Sequence, residues 1–186
     1  PLDAARLATT PQALLCALAR EVARPEVRAA LAQLDARSRN VVWFAAIEDL
    51  RRLGAVHTLA AMLWHASPDV QIRAARALAA LADRRTVPWL VESARQLATY
   101  LGGSENATLH GLLQHALADA LAASSGITVS LANGQDPRGL ALAAARASTR
   151  IGTPMALVSV VAASSPACTG MLTVDGETVG SWPASH

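Results

Sequence analysis

The sequence predicts an all-α chain: a right-handed α-solenoid of antiparallel helix pairs, with a small C-terminal β-hairpin appendage. Three observations lead there. The chain holds 42 Ala and 26 Leu among 186 residues, is 52% hydrophobic and only 3% aromatic, so its core must be built from small and aliphatic side chains, which suits closely packed helices. Apolar residues recur at spacings of three and four from about residue 39 to 123, the period of a one-sided helix. The helical segments also superpose in pairs. Val42 to Leu53 aligns without a gap on Val70 to Leu81 at an offset of 28, and Val56-His57-Thr58-Leu59 falls on Val87-Pro88-Trp89-Leu90. Repetition on this scale marks a stack in which each helix pair buries its face only against its neighbours.

The elements follow in order. Pro11 to Ala23 and Pro25 to Ala36 read as two shorter helices, with Pro25 at a helix start, where its missing N–H costs little. Asn40 can cap the next helix, whose face is Trp43, Ala46, Ile47, Leu50 and Leu53, and Gly54 ends it as a C′ glycine does. Val56, Leu59, Ala60 and Leu63 form a following face that ends near Ser67-Pro68. Ser67 or Asp69 caps a helix with the face Val70, Ala74, Ala77, Leu78 and Leu81. Thr86 precedes another, with Pro88 in its first turn and Val87, Leu90, Val91, Ala94, Leu97 and Leu101 on its face. After Gly102-Gly103, Ser104 or Asn106 caps a helix carrying Leu109, Leu112, Leu113, Ala116, Leu117 and Leu121, which Ser124-Ser125-Gly126 ends. Ile127 to Pro137 reads as a polar loop, and Gly139 to Arg150 as an Ala-rich helix. The domain division is residues 1–151 for the helical repeats and 152–186 for the tail. In that tail Ala156 to Ala162 is rich in Val, and Asp175-Gly176 between apolar alternations signals a hairpin.

Composition and charge exclude several classes. Apolar content is too high for disorder over most of the length, and the apolar runs are far too short to span a membrane. All sixteen basic residues are Arg, so lysine Schiff-base and P-loop chemistry are absent. Net charge is +2, without the basic stripe of a nucleic-acid binder. Cys16 and Cys168 are far apart and lack close His or Cys neighbours, so they form no zinc pattern and no disulfide framework, and Cys16 reads as a small buried hydrophobe. No secretory signal is legible, which favours the cytoplasm, although the chain begins with Pro rather than Met and so reads as a processed product or a fragment.

The consecutive units resemble the HEAT-repeat family, especially the bacterial HEAT-like repeats also found in phycobilin lyases. The best unit is Ser67-Pro68-Asp69-Val70-Gln71-Ile72-Arg73-Ala74-Ala75-Arg76-Ala77-Leu78, followed by Asp83-Arg84-Arg85-Thr86-Val87-Pro88-Trp89-Leu90. Pro25-Glu26-Val27-Arg28-Ala29-Ala30 looks like a degenerate second start, and the third copy departs by carrying His110 and Gly111. The resemblance covers about residues 25–125. It implies fold rather than activity, because stacking residues define the family.

Candidate chemistry is sparse. His110 and His115 are five apart, poorly placed for one metal, and His57 could meet Glu48 or Asp49 on the adjacent helix. No Gly-rich phosphate loop follows a strand, and no Ser, His and acid fall at suggestive spacing, so no catalytic residue, metal or cofactor is expected. Asn106-Ala107-Thr108 matches a glycosylation acceptor. Equivalent positions stack in a solenoid, so Arg73 and Arg76 are expected to line one surface with Arg84 and Arg85 at its edge; the rival reading is ion pairing with Glu48, Asp49, Asp69, Asp83 and Glu92. Trp64 and Trp89 are either interface anchors or space fillers between Ala faces. The expected function is a non-catalytic scaffold that captures a protein partner on a strip formed by Trp64, Trp89, Arg73, Arg76 and Arg85. On this expectation Trp89→Ala and Arg76→Glu weaken capture without unfolding the domain. The rival readings are a HEAT-like lyase or cofactor-handling protein, and a helical segment of a larger enzyme.

Overall fold

The computed structural model describes residues 12–35, 40–65, 67–99, 107–132, 135–150, 170–174 and 177–182. Gly102-Gly103, Asn106, Ala156 to Ala162, the Asp175-Gly176 turn, Cys168 and His186 lie outside them. Eight α-helices are present among the described residues: α1 Gln12–Val22, α2 Pro25–Asp35, α3 Asn40–Arg52, α4 Val56–Ala61, α5 Pro68–Leu81, α6 Val87–Thr99, α7 Ala107–Ser125 and α8 Pro137–Arg150. Two strands, β1 Gly170–Val174 and β2 Glu177–Trp182, pair antiparallel.

Local chemistry accounts for most boundaries. α3 stops because Gly54 takes a left-handed conformation (φ 61°), after which the Ala55 N–H bonds back to the Leu50 carbonyl. α4 is shorter than its apolar spacing suggests. After Ala61 the chain tightens into a 3₁₀ turn, Met62–Trp64, which still buries Leu63 and the Trp64 indole. Pro68 opens α5, and the Ser67 side chain in the cap position makes no capping bond. Asp83 caps the 3₁₀ turn Arg84–Thr86 by accepting from the Arg85 backbone N–H at 2.8 Å, and that turn leads directly into α6.

α3 packs on α5 and α5 on α7, with α2 added beside α3; on the opposite side α1 packs on α4 and α6 on α8. One apolar cluster runs through all of them. Ala46, Ala74, Ala77, Ala94 and Ala116 are all buried in it, and their small side chains let the helices approach closely without leaving voids. The Thr86 and Ser124 hydroxyls lie 3.2 Å apart, so α5 and α7 end on the same side and run parallel.

The last pair breaks the antiparallel alternation expected from sequence. Near the start of α8, the Gln135 Nε2 donates to the carbonyl of Ala107, the first residue of α7, and the Asp136 backbone N–H donates to the Gln114 Oε1 at 2.6 Å. At the other end Thr149 and Arg150 share a cavity with Gly126 and Thr128, just past the end of α7. α8 therefore runs parallel to α7, and the connecting segment returns along a 19-residue helix, about 28 Å. Residues 127–132 form no helix or strand, as expected of a loop, but they are not uniformly polar toward solvent. Ile127, Val129 and Leu131 pack against the core, whereas Thr128, Ser130 and Ala132 are exposed, the alternation of an extended chain. α8 also begins two residues earlier than expected. Asp136 caps it by accepting from the Gly139 N–H at 2.8 Å, and Pro137 takes the first helical position.

The strands pair from Gly170 opposite Trp182 to Val174 opposite Glu177, with an irregularity between Leu172 and Thr173. β1 lies against α1. Cys16, in α1, is buried as expected, but it is disulfide-bonded. This corrects the reading of Cys16 as an isolated hydrophobe: wide separation in sequence does not keep cysteines apart in a fold. Among the described residues no helix is long and apolar enough to cross a membrane.

Candidate functional site

The residues singled out from sequence divide into two groups in space. Trp64 and Trp89 lie inside the molecule, at 1% and 0% exposure, with ring centroids 5.0 Å apart. The 3₁₀ turn after α4 supplies one indole, and the first turn of α6 supplies the other. Both rings use their polar edge. Trp64 Nε1–H donates to Gln96 Oε1, and Trp89 Nε1–H donates to His57 Nδ1, each at 3.1 Å. Each bond joins residues 32 apart in sequence, so the two indole hydrogen bonds tie α6 to α4 and to the 3₁₀ turn that follows it. The tryptophans are thus space fillers held within the core, and neither presents an indole to the surface.

His57 does not meet Glu48 or Asp49. It faces Glu21 from α1 together with Asp83 and Arg85 from the turn before α6. Glu21 is itself fixed, its Oε2 accepting from the Thr58 backbone N–H at 2.7 Å and from the Thr58 hydroxyl at 3.0 Å, in the first turn of α4. Burial holds the imidazole below its ordinary pKa; the Glu21 charge opposes this, the Arg85 charge adds to it and Asp83 opposes it. The bond from Trp89 requires an unprotonated Nδ1, so His57 sits as the neutral Nε2–H tautomer.

Arg85 is exposed but is tied to Asp83 at the edge of this group. Its Nε contacts both carboxylate oxygens, and its Nη2 reaches Oδ2 at 2.6 Å, which lowers the Asp83 pKa and raises that of Arg85. Its guanidinium is therefore already occupied by the capping acid. Arg51 and Arg52 are likewise paired with Glu48, whose carboxyl is held down to about 2, chiefly by the hydrogen bonds from Arg51. Arg95 is paired with Glu92.

Arg73 and Arg76 differ. Both are exposed on α5, and neither has a carboxylate partner among the described residues. The Arg73 guanidinium lies 3.1 Å from the centroid of the Phe44 ring on α3, a stacked cation–π arrangement that fixes the planar group and leaves its N–H edge free. Phe44 is not legible in the sequence as a site residue, because it falls off the apolar face of its helix. Its partner Arg73 is 29 positions further on, almost the 28-residue repeat offset, and this is the signal that could have paired them.

Nothing in these groups assembles a nucleophile, a base and an orienting acid. Among the described residues no three His, Cys, Asp or Glu side chains are arranged to hold a metal ion. No family model matches the chain, and no curated protein and no solved structure matches it significantly.

Proposed function

We propose that the chain is a HEAT-like helical scaffold that receives an acidic segment of a protein partner on the face formed by Phe44, Arg73 and Arg76. The repeat reading is supported by the stacking of α3 on α5 on α7, by the parallel course of α5 and α7, and by the sequence resemblance over residues 25–125. The binding reading rests on one observation. Arg73 lies over the Phe44 ring with no carboxylate partner among the described residues, one turn from the equally exposed Arg76. A stacked guanidinium has already lost rotamer freedom, so a bidentate carboxylate costs less to bind there than at a mobile side chain.

Fluorescence anisotropy with a labelled poly-glutamate peptide, and poly-lysine as the control, tests the reading. Arg73→Glu with Arg76→Glu is expected to weaken poly-glutamate binding by about tenfold or more, with an unchanged melting temperature because both side chains are exposed. Phe44→Ala should weaken it less. Binding that is indifferent to all three substitutions overturns the proposal.

A further inference from the structure

The segment after α7 has a property that the helical face lacks. Residues 127–131 are extended, with alternate side chains turned into the core, yet their backbone N–H and C=O groups make no hydrogen bond among the described residues. An extended backbone with unsatisfied groups and a firmly seated apolar side is a template for another strand. The start of the segment also borders a cavity of about 700 Å³, whose far wall is the last two turns of α8, with Arg146, Thr149 and Arg150. Arg150 sits where a cation complements the negative end of its own helix. Arg146 lies a full turn earlier, and neither arginine has a carboxylate partner among the described residues.

We infer that residues 127–131 are a strand-addition site for an extended, acidic segment of a partner protein, whose backbone pairs with this edge and whose carboxylates reach Arg146 and Arg150. The two parts of the site have separate roles. Backbone pairing supplies affinity and forces the partner to be extended; side chains on alternate positions of the incoming strand supply selectivity. The arginines favour acidic residues at the end of that strand nearest Gly126. An anion alone is a poor occupant, because the cavity lies where α7 and α8 both end and two helix C-termini repel negative charge. An acidic side chain carried on a paired backbone has the ladder hydrogen bonds to offset that repulsion. This surface includes neither Arg73 nor Arg76, so it goes beyond the face proposed above.

The test uses the intact chain and a peptide of alternating valine and glutamate, compared with alternating valine and arginine and with the valine–glutamate peptide N-methylated at every second residue. Hydrogen exchange followed by NMR reads the amides of residues 127–131. The acidic peptide is expected to bind and to slow exchange at alternate amides of the segment. The N-methylated peptide, which has lost its donors on one edge, should bind at least tenfold more weakly, as should the arginine peptide. Arg146→Glu with Arg150→Glu should reverse the preference between acidic and basic peptides. Ser130→Pro, at an exposed position, should abolish the protection. If that variant unfolds, the N-methylated peptide still decides, since it leaves the protein unaltered. Failure of the acidic peptide to bind, equal binding of its N-methylated form, or binding without amide protection overturns the proposal.

Discussion

The Trp89 indole N–H donates to the His57 Nδ1 at 3.1 Å, and this one bond makes the contact between α4 and α6 depend on the protonation state of a histidine. A protonated imidazole has no acceptor to offer, and its Nδ1–H would oppose the indole N–H. Burial already holds the folded pKa of His57 below its ordinary value. The unfolded chain therefore takes up the proton first as pH falls, and stability decreases with it. The contribution of His57 is complete above about pH 6.5. It is lost progressively as pH falls from there toward the depressed folded value. Thermal melts followed by tryptophan fluorescence should show this decline, and His57→Gln, which keeps an acceptor but cannot titrate, should flatten it. An unchanged slope in the variant would assign the pH dependence to other groups.

The burial of Trp89 alters what its removal should do. As a surface anchor, Trp89→Ala would weaken partner capture and leave the fold intact. As a 0%-exposed side chain in contact with Trp64 and hydrogen-bonded to His57, it should cost about 3–5 kcal/mol of stability. Urea denaturation with a control at Arg76 separates the two: Arg76→Glu is expected to leave the midpoint unmoved. Equal midpoints for both variants would restore the surface role.

Helix positions were legible in sequence because proline and glycine boundaries and apolar faces are local. Gly54, Pro68, Pro88 and Pro25 each occupy the place that their backbone restrictions dictate. The direction of α8 was not legible. It depends on bonds from Gln135 and Asp136 to the start and middle of α7, which no periodicity records. The extended segment did leave a trace, since Ile127, Val129 and Leu131 alternate with Thr128, Ser130 and Ala132, but its six residues lie between turn-forming residues that draw the reading toward a loop. At the candidate site, Arg73 and Arg76 were visible as a pair one helical turn apart on α5. The burial of the tryptophans was not, because an indole on a helix face packs inward or outward according to the size of its neighbours, and Ala-rich neighbours leave room to bury it.

Ala82 ends α5 in a left-handed conformation, φ 49°, a region that glycine occupies without the Cβ penalty of about 1–2 kcal/mol. The position is exposed, so its methyl group contributes little packing. Ala82→Gly relieves the strain at the cost of greater freedom in the unfolded chain, about 0.5–1 kcal/mol. The net expectation is a gain of about 0.5–1 kcal/mol, read as a higher urea midpoint with an unchanged slope. A lower midpoint would mean that the methyl group packs more than its exposure indicates.

The Cys16 disulfide anchors α1 covalently and restricts the unfolded chain. Cross-links of this kind typically contribute about 2–4 kcal/mol. Cys16→Ser, or reduction of the wild-type chain, should lower thermal stability by a comparable amount, and the two treatments together should do no more than either alone. Maleimide labelling in denaturant should modify the cysteines only after reduction. Labelling without reductant would show that the bond does not form in solution.

Gly139 is required by close approach rather than by its backbone angles. A Cβ at this position would overlap the carboxylate of Asp136 and would lie 2.8 Å from a methyl carbon of Leu131. Neither neighbour can withdraw freely. The Asp136 oxygens are held by the Gly139 and Ala132 backbone N–H groups at 2.8 and 2.9 Å, and those two bonds keep its pKa below the ordinary carboxylate value. Leu131 is the last inward side chain of the extended segment. Elsewhere in a helix, Gly→Ala raises stability through helix propensity. Here Gly139→Ala must break the cap of α8 or lift the segment from the core, so a loss of about 1–3 kcal/mol is expected, together with faster hydrogen exchange at the Ala132 amide. A stabilised variant would show that Asp136 and Leu131 move aside at little cost, and that the course of the chain between α7 and α8 is not held by this contact.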